Sequence, residues 1–427
     1  MHKVLAMVLA GGRVEELSAL TLPRTKAAVP FGGQYRLIDF AMSSLARSEI
    51  ERVGVISLYR PSSLIDHVGG GEPWDLAGRG RGVKILPPFQ MEEGTRWYAG
   101  TADAVYQNLA YVERHEPTEV LIVSGDHVYG MDFRPVVKQH RETNADLTMV
   151  VKALPAGSGH GQFGFAEVDK ERRVTGYEEK PAHPRTNLAS LTMYLFDSAK
   201  LFERLEENCL TGSSRQLYDE VIPEMVGKDR VFAFPYEGYW NYTRSIGSYM
   251  QANLDLLGEN PSIDLVGWNV RSRCPHRGLG DLPPARLAGE CSCTSSLLGR
   301  GVLIDGTVSG SILSPGVRIE AGAQVVDSVL FNDCLIRYGA RVERAILDKG
   351  VCIGREARVG GPRKDEPGGE CKAPASDGVT VIGKGARVPA GTVVETACVI
   401  YPRIVETDWP GSHLASGARL GRGGQVE

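Results

Sequence analysis

Val302 to Val359 reads VLIDGTVSGSILSPGVRIEAGAQVVDSVLFNDCLIRYGARVERAILDKGVCIGREARV. Val317, Ala323, Val329 and Leu335 recur every six residues, and Ala340, Ile346, Cys352 and Ala357 continue the series at five or six. A small or aliphatic residue in each step, often beside glycine and with few helix signals, marks a parallel β-helix built from hexapeptides. An all-β sandwich is the alternative, but its strands recur at about 8–12 residues. GPRKDEPGGECKAPASDG interrupts the repeat; rich in Gly, Pro and charge, it reads as a surface loop inserted near 361–378 before VTVIGKGARVPAGTVV resumes the coils.

Upstream, the first 240 or so residues have a different texture. RVGVISLY, VLIVSGDHVYG and LTMVVKAL look like buried strands, whereas DAVYQNLAYVERHE and FRPVVKQHRETN carry apolar residues at helical spacing. That alternation predicts an α/β, Rossmann-like domain, a mostly parallel sheet with helices on both faces. The chain therefore divides into an α/β domain over 1–255, a linker over 256–296 and a β-helix over 297–427. In such sheets ligands bind beyond the carboxyl ends of the strands, which directs attention to the residues after LAGG and VSGD.

The 427 residues suffice for two domains with sizeable cores. A formal net charge of −4 gives no reason to expect binding to nucleic acid or anionic membranes. No apolar run reaches about 18 residues, and MHKVLAMVLAGG lacks the small-residue cleavage site of a signal peptide, so a cytoplasmic protein is expected. The eight cysteines lie far apart and read as free thiols. Cys274 and His276 with Cys291 and Cys293 would supply four zinc ligands in principle, but their spacing matches no familiar metal site and they read as loop residues.

LAGGRVEELSALTLPRTKAAVPFGG, Leu9 to Gly33, poses the functional question. A strand ending in Gly11 and Gly12 is where a phosphate-binding loop would sit. Such a loop should present backbone N–H groups and a cation, yet Glu15 and Glu16 follow.

LAGGR, VPFGGQYRLIDFAMSS, WYAGTADAVYQN, SGDHVYGMD, GQFGFAEVD, EEKP, LASLTMYLFD and YMQANLDLL occur in one order that resembles the sugar-phosphate nucleotidyltransferases, and within them the ADP-glucose pyrophosphorylase (glucose-1-phosphate adenylyltransferase) family. The resemblance covers nearly the whole chain. It implies a left-handed β-helix after the α/β domain, tetramers, and a reaction of glucose 1-phosphate with ATP and Mg2+ that yields ADP-glucose and pyrophosphate for glycogen or starch. Alignment of oxygens and neutralisation of charge carry most of such a transfer. By resemblance, Gly164, Glu179, Lys180 and Ser190 hold glucose 1-phosphate; Gly11, Gly12, Tyr98, Gly100, Thr101 and Asp103 lie along the nucleotide; Lys26 meets phosphate; and Asp126 binds the metal.

The departures cluster at the triphosphate. Where the family has Gly-Gly-Arg-Gly-Thr-Arg-Leu, this chain has Gly11, Gly12, Arg13, Val14, Glu15, Glu16 and Leu17. Val14 tolerates neither a positive φ nor close backbone approach. Glu16 stands for the arginine; one unit charge pair at about 4 Å and an effective dielectric near 20 is worth roughly 4 kcal/mol, so attraction becomes repulsion of similar size. In YWNYTRSIGS, Tyr242 replaces the second metal-binding Asp and Arg244 replaces a glycine; a phenol is a poor Mg2+ ligand, leaving Asp126. Ala27, Ala99 and Thr192 replace a proline, an arginine and a glycine, and Pro23 and Leu58 occupy positions linked in the family to activation.

Two readings follow. One is an active enzyme with atypical site residues. The other is a catalytically weak or silent regulatory subunit that keeps the sugar pocket and pairs with an active paralogue; the paired loss at Glu16 and Tyr242 favours it. A nucleotidyltransferase using another base would need the same cation and metal ligands.

Overall fold

Val4, Leu5, Ala6, Met7 and Val8 are all buried because the strand they form, β1 (Val4–Leu9), has a neighbour on each side. It pairs in parallel with β2 (Arg52–Ile56), Leu9 opposite Ile56, and with β4 (Glu119–Ser124), Leu9 opposite Ser124. A central parallel strand covered on both faces reads as one apolar run rather than an alternation. The computed structural model describes residues 3–88, 90–91, 94–95, 97–155, 158, 161–211, 214–273, 282–362 and 377–426.

Two compact units form. The first comprises Met1–Gly12, Ile38–Trp240 and Val266–Arg271; the second comprises Arg13–Leu37, Asn241–Leu265 and Ser272–Glu427. In the first, β3 (Gly82–Leu86) extends the parallel run beyond β2. The other half of the sheet is built from β5 (Leu147–Ala153), β6 (Gly164–Val168), β7 (Val174–Glu179), β8 (Leu188–Asp197) and β9 (Val231–Pro235). Its order is β7-β6-β8-β4-β1-β2-β3, with β5 on β8 and β9 on β5. The expected parallel sheet is present from β4 to β3, and β8 introduces antiparallel pairing with β4, β5 and β6. Helix α1 (Ile38–Arg47) buries eight of its ten residues, Ile38 to Leu45. Two short helices follow β3, α2 (Thr101–Tyr106) and α3 (Leu109–Glu113).

In the second unit the six-residue period closes into three parallel ladders. One runs through 286–287, 303–304, 318–319, 335–336, 352–353 and 387–388; a second through 292–294, 307–309, 324–326, 341–343, 358–360, 393–394 and 413–414; a third through 297–298, 312–313, 329–330, 345–347, 380–382, 399–400 and 419–420. This is the predicted left-handed hexapeptide β-helix. Val317, Ala323, Val329, Ala340, Ile346 and Ala357 of the periodic series are buried, and Leu335 and Cys352 are half-buried. Corner glycines such as Gly322 (φ 70°) and Gly339 (φ 68°) take the left-handed conformation that a Cβ disfavours. Along one edge the hydroxyls of Ser296, Ser311 and Ser328 accept the backbone N–H of Ser311, Ser328 and Ala345 at 3.1, 3.0 and 3.2 Å, one coil to the next. Ala345 pairs with Thr380 and Leu347 with Ile382, so the ladder resumes after the interruption without losing a rung.

The Arg13–Leu37 segment belongs to this unit through a buried ion pair. Arg24 Nη2 lies 2.9 and 3.0 Å from the two oxygens of Asp348, with Arg24 3% exposed and Asp348 fully buried. Half-buried Lys349 follows directly. Burial pushes its pKa down from 10.5 to about 7, and the positive charges of Arg36, Arg24 and Lys384 add to the effect while Asp348 opposes it. The folded chain thus binds fewer protons than the unfolded one between about pH 7 and 10.5. Stability should rise with pH across that window, and the penalty is complete below pH 7. The shift corresponds to nearly 5 kcal/mol at about 1.4 kcal/mol per unit, discounted to roughly 2 kcal/mol because part of the side chain reaches solvent. Lys349→Met is expected to stabilise the protein by that amount at pH 6 and to flatten the rise between pH 7 and 9 in urea unfolding; an unchanged slope would refute the assignment.

Candidate active site

The sugar half of the predicted site assembles within the first unit. Antiparallel pairing of β6 and β7 sets Gly164 opposite Glu179, and Ser190 lies on β8, where Phe165 opposes Ala189. Gly164 cannot be replaced without moving its neighbours, since a Cβ there would fall 1.9 Å from Tyr177 Oη. Tyr177 Oη donates to Glu179 Oε2 at 2.7 Å, and Lys180 Nζ lies 3.3 Å from Glu179 Oε1. Burial raises the Glu179 carboxyl above its ordinary pKa; the tyrosine hydroxyl and the Lys180 ammonium pull the other way. Lys180 Nζ also sits 4.8 Å over the Tyr218 ring. Ser190 Oγ and Tyr194 Oη are 2.9 Å apart and buried. The result is a carboxylate, an ammonium and several hydroxyls converging on one place, a set suited to a phosphorylated sugar.

Tyr177, Tyr194 and Tyr218 are neighbours of the predicted sugar residues that the motif reading passed over. Tyr177 was within reach of sequence reasoning, because strand periodicity puts residues i and i+2 on one face and Glu179 is two residues on. Thr192, in a position where the family has glycine, holds φ 55°, an uncommon conformation for a β-branched residue.

The GTADA turn is also well defined. Gly100 is obligatory, for a Cβ would lie 2.2 Å from the Arg215 carbonyl. Asp103 is buried and accepts from Ala99 N–H at 2.8 Å and Gln107 Nε2 at 2.7 Å, with Arg215 Nη1 3.3 Å away. Thr101 Oγ1 donates to Gln216 Oε1 at 2.9 Å and accepts from Leu217 N–H at 2.9 Å. Tyr98, also buried, donates to the Leu86 carbonyl at 3.3 Å and accepts from Asn108. Tyr98, Thr101 and Asp103 thus brace one another's surroundings and stiffen the turn.

Gly11 is tight against Leu58, whose Cβ would be 2.9 Å from an added one, while Gly12 has open space around its Cα. Asp126 follows β4 and is 19% exposed. It is hydrogen-bonded to Ser124, and His127 Nε2 lies 3.5 Å from it. Trp240 Nε1 donates to His127 Nδ1 at 3.3 Å, which leaves Nε2 as the protonated nitrogen facing Asp126.

The remaining predicted residues lie in the second unit. Val14 is extended at φ −117°, so its branched side chain meets no backbone strain; the positive φ in this segment falls on Ser18, at 45°. The positive φ that valine would not tolerate is thus not required at position 14. Glu16 Oε1 accepts from Arg244 Nε at 2.7 Å, and Arg244 Nη1 donates to Tyr242 Oη at 3.2 Å. Lys26 is fully buried; its Nζ donates to the Tyr242 carbonyl at 2.7 Å and lies 4.5 Å from the centroid of that ring. Burial would raise the Glu16 carboxyl, but its own backbone N–H, Arg244 and Lys26 hold it below the usual range. Arg244 therefore bridges two other replaced positions, Glu16 and Tyr242, and Tyr242 in turn contacts the retained lysine.

Asp126 is a carboxylate suited to Mg2+, a phenol such as that of Tyr242 is a poor ligand for it, and among the described residues no group of three or more His, Cys, Asp or Glu side chains could hold a metal. Cys274 and His276 of the cysteine cluster lie outside the described residues. Among the described residues no helix is long and apolar enough to cross a membrane.

Residues 5–259 match the Nucleotidyl transferase family, and residues 283–382 match a GlmU-like C-terminal hexapeptide family. A glucose-1-phosphate adenylyltransferase of Thermomicrobium roseum is 40% identical over 424 residues, 98% of this chain and 97% of its own length. One from Desulforamulus reducens is 38% identical over 397 residues, 92% of this chain and 96% of its own. One from Bacillus mycoides is 40% identical over 356 residues, 82% and 93% of the two chains.

Proposed function

Because the chain belongs to the glucose-1-phosphate adenylyltransferase family, we propose that it serves there as a catalytically weak or silent regulatory subunit that still binds glucose 1-phosphate. It works in the cytoplasm as a tetramer, either of its own copies or with an active paralogue, and in the mixed tetramer the adenylyl transfer that yields ADP-glucose belongs to that paralogue. One observation carries this reading: the carboxylate of Glu16 is tied to Arg244 and the triphosphate lysine, Lys26, lies beneath Tyr242. An incoming ATP meets an acid where the family has an arginine. Of the two carboxylates that the family pattern uses for the metal, the chain has Asp126, while Tyr242 stands at the other position. The sugar half keeps Gly164, Glu179, Lys180 and Ser190 in mutual register.

An active enzyme with atypical residues is the second reading, and one fact favours it. Glu16, Lys26, Tyr242 and Arg244 sum to a formal charge of +1, the same as the arginine, lysine, aspartate and glycine of the family pattern.

Assay of the purified chain alone for pyrophosphate release from ATP, Mg2+ and glucose 1-phosphate separates the two. The silent-subunit reading predicts turnover at least about a hundredfold below the ~10 s⁻¹ typical of enzymes, with glucose 1-phosphate binding intact by calorimetry. Turnover near the typical value would establish the active enzyme instead.

A further inference from the structure

Glu16 and Arg244 come from segments 228 residues apart, and each replaces a family residue of different charge, yet they meet at 2.7 Å. Each is presented by a turn that contains a non-glycine residue at positive φ: Ser18 at 45° beside Glu16, and Thr243 at 49° beside Arg244. Such conformations persist only where the surrounding structure fixes them, and they concentrate at binding sites. Thr243 is itself fully buried, and its N–H donates to Asn241 Oδ1 at 2.8 Å, which pins the turn.

The pair is not sealed. Glu16 is 38% exposed and Arg244 37%, and ion pairs that open to water hold weakly. Behind them Lys26 is fully buried, and its charge contributes to holding the Glu16 carboxyl ionised. A carboxylate that bonds one cation and lies in the field of another imitates the oxygen of a phosphate group.

We infer that Glu16 is an internal stand-in for phosphate on Arg244, in the field of buried Lys26, and that this contact opens to a polyphosphate chain when Glu16 is displaced. The inference rests on the reading of this region as a degenerate triphosphate site. It assigns Arg244 a role of its own: it is the relocated cation, and Glu16 is its gate. The ligand class is a chain of phosphoanhydride-linked phosphates, whether free or carried on a nucleoside. A multiply charged chain competes against a single carboxylate, and removal of Glu16 removes both the competitor and a repulsive charge.

The test is isothermal titration of the full chain with sodium tripolyphosphate, and separately with ATP, in the absence of divalent cations. Glu16→Gln is expected to tighten tripolyphosphate binding about tenfold, and Glu16→Gln with Arg244→Gln to return it to the parental affinity or below. Glu15→Gln removes an equal charge from an exposed neighbour and is expected to change affinity less than about twofold. Equal gains for the two ligands identify the phosphate chain as the recognised group; a gain confined to ATP, an unchanged Glu16→Gln affinity, or a gain that survives loss of Arg244 would each overturn the inference. Circular dichroism of each variant checks folding. Since turnover is not measured, an active parent chain would defeat the silent-subunit reading and leave this result standing. Failure of Glu16→Gln would defeat this inference alone.

Discussion

The variant that combines Val14→Gly, Glu16→Arg, Tyr242→Asp and Arg244→Gly is expected to release pyrophosphate from ATP and glucose 1-phosphate at least about a hundredfold faster than the parent chain. At about 4 Å and an effective dielectric near 20, a unit charge pair is worth roughly 4 kcal/mol. Screening at a site about one-third exposed reduces this to roughly 2–3 kcal/mol, and each 1.4 kcal/mol is tenfold in rate. The fourth substitution is the one that the structure adds. Arg244 Nε sits 2.7 Å from Glu16 Oε1, so Glu16→Arg with Arg244 retained would press two guanidinium groups together. The triple variant lacking Arg244→Gly is therefore expected to gain less than a third as much on a logarithmic scale. Equal rates for the triple and quadruple variants would mean that the pair does not control the site.

Asp348→Ala is expected to remove about 3–5 kcal/mol of folding stability, the usual consequence of stripping the partner from a buried charge. Asp348 is fully buried and is the carboxylate that faces Arg24, while Lys349, Arg36 and Lys384 crowd the same region with positive charge. Arg24 Nη1 is already buried with no hydrogen-bond partner among the described residues, so the guanidinium has little to lose before its burial becomes untenable. Combining Asp348→Ala with Arg24→Met should restore at least half of the loss, because an apolar side chain in that position no longer carries a charge to satisfy. Urea unfolding of the two single variants and the double variant measures the cycle; a loss below about 1 kcal/mol for Asp348→Ala would show that the pair contributes little.

The β-helix was legible because its period is local: each step depends on a small residue six positions away, and Val317, Ala323 and Val329 all point inward as the spacing requires. The parallel core of the sheet was legible for the same reason, since β1 is an uninterrupted apolar run. The antiparallel half was not, because the direction of β8 is set by its partners and leaves no mark in the alternation of its own residues. Among site residues, motif order placed Gly164, Glu179 and Ser190 near one another, and their strand register agrees. Glu16, Tyr242 and Arg244 were visible as departures, and Glu16 with Tyr242 as a paired functional loss, but the contact that Arg244 makes between them was not. Their contact joins segments more than two hundred residues apart, and no spacing rule reaches that far. The backbone strain expected at Val14 does not arise for a related reason: φ is a property of the whole loop path, which leaves Val14 extended and puts the positive φ on Ser18.

Ser296, Ser311 and Ser328 set a rule for how this chain tolerates changes in length. Each hydroxyl receives an N–H from the residue 15 or 17 positions on, and Ser311 and Ser328 also donate to the carbonyls of Ser309 and Val326 at 2.7 Å. A single deletion inside a coil would offset every later hydroxyl from its amide by one place and turn inward-facing side chains outward. Gains and losses of chain are therefore confined to whole turns or to corners between rungs. The long excursion between the strands at 358–360 and 380–382 obeys that rule, and the same corner is where a tag, a reporter or a second domain could be grafted with the winding left intact.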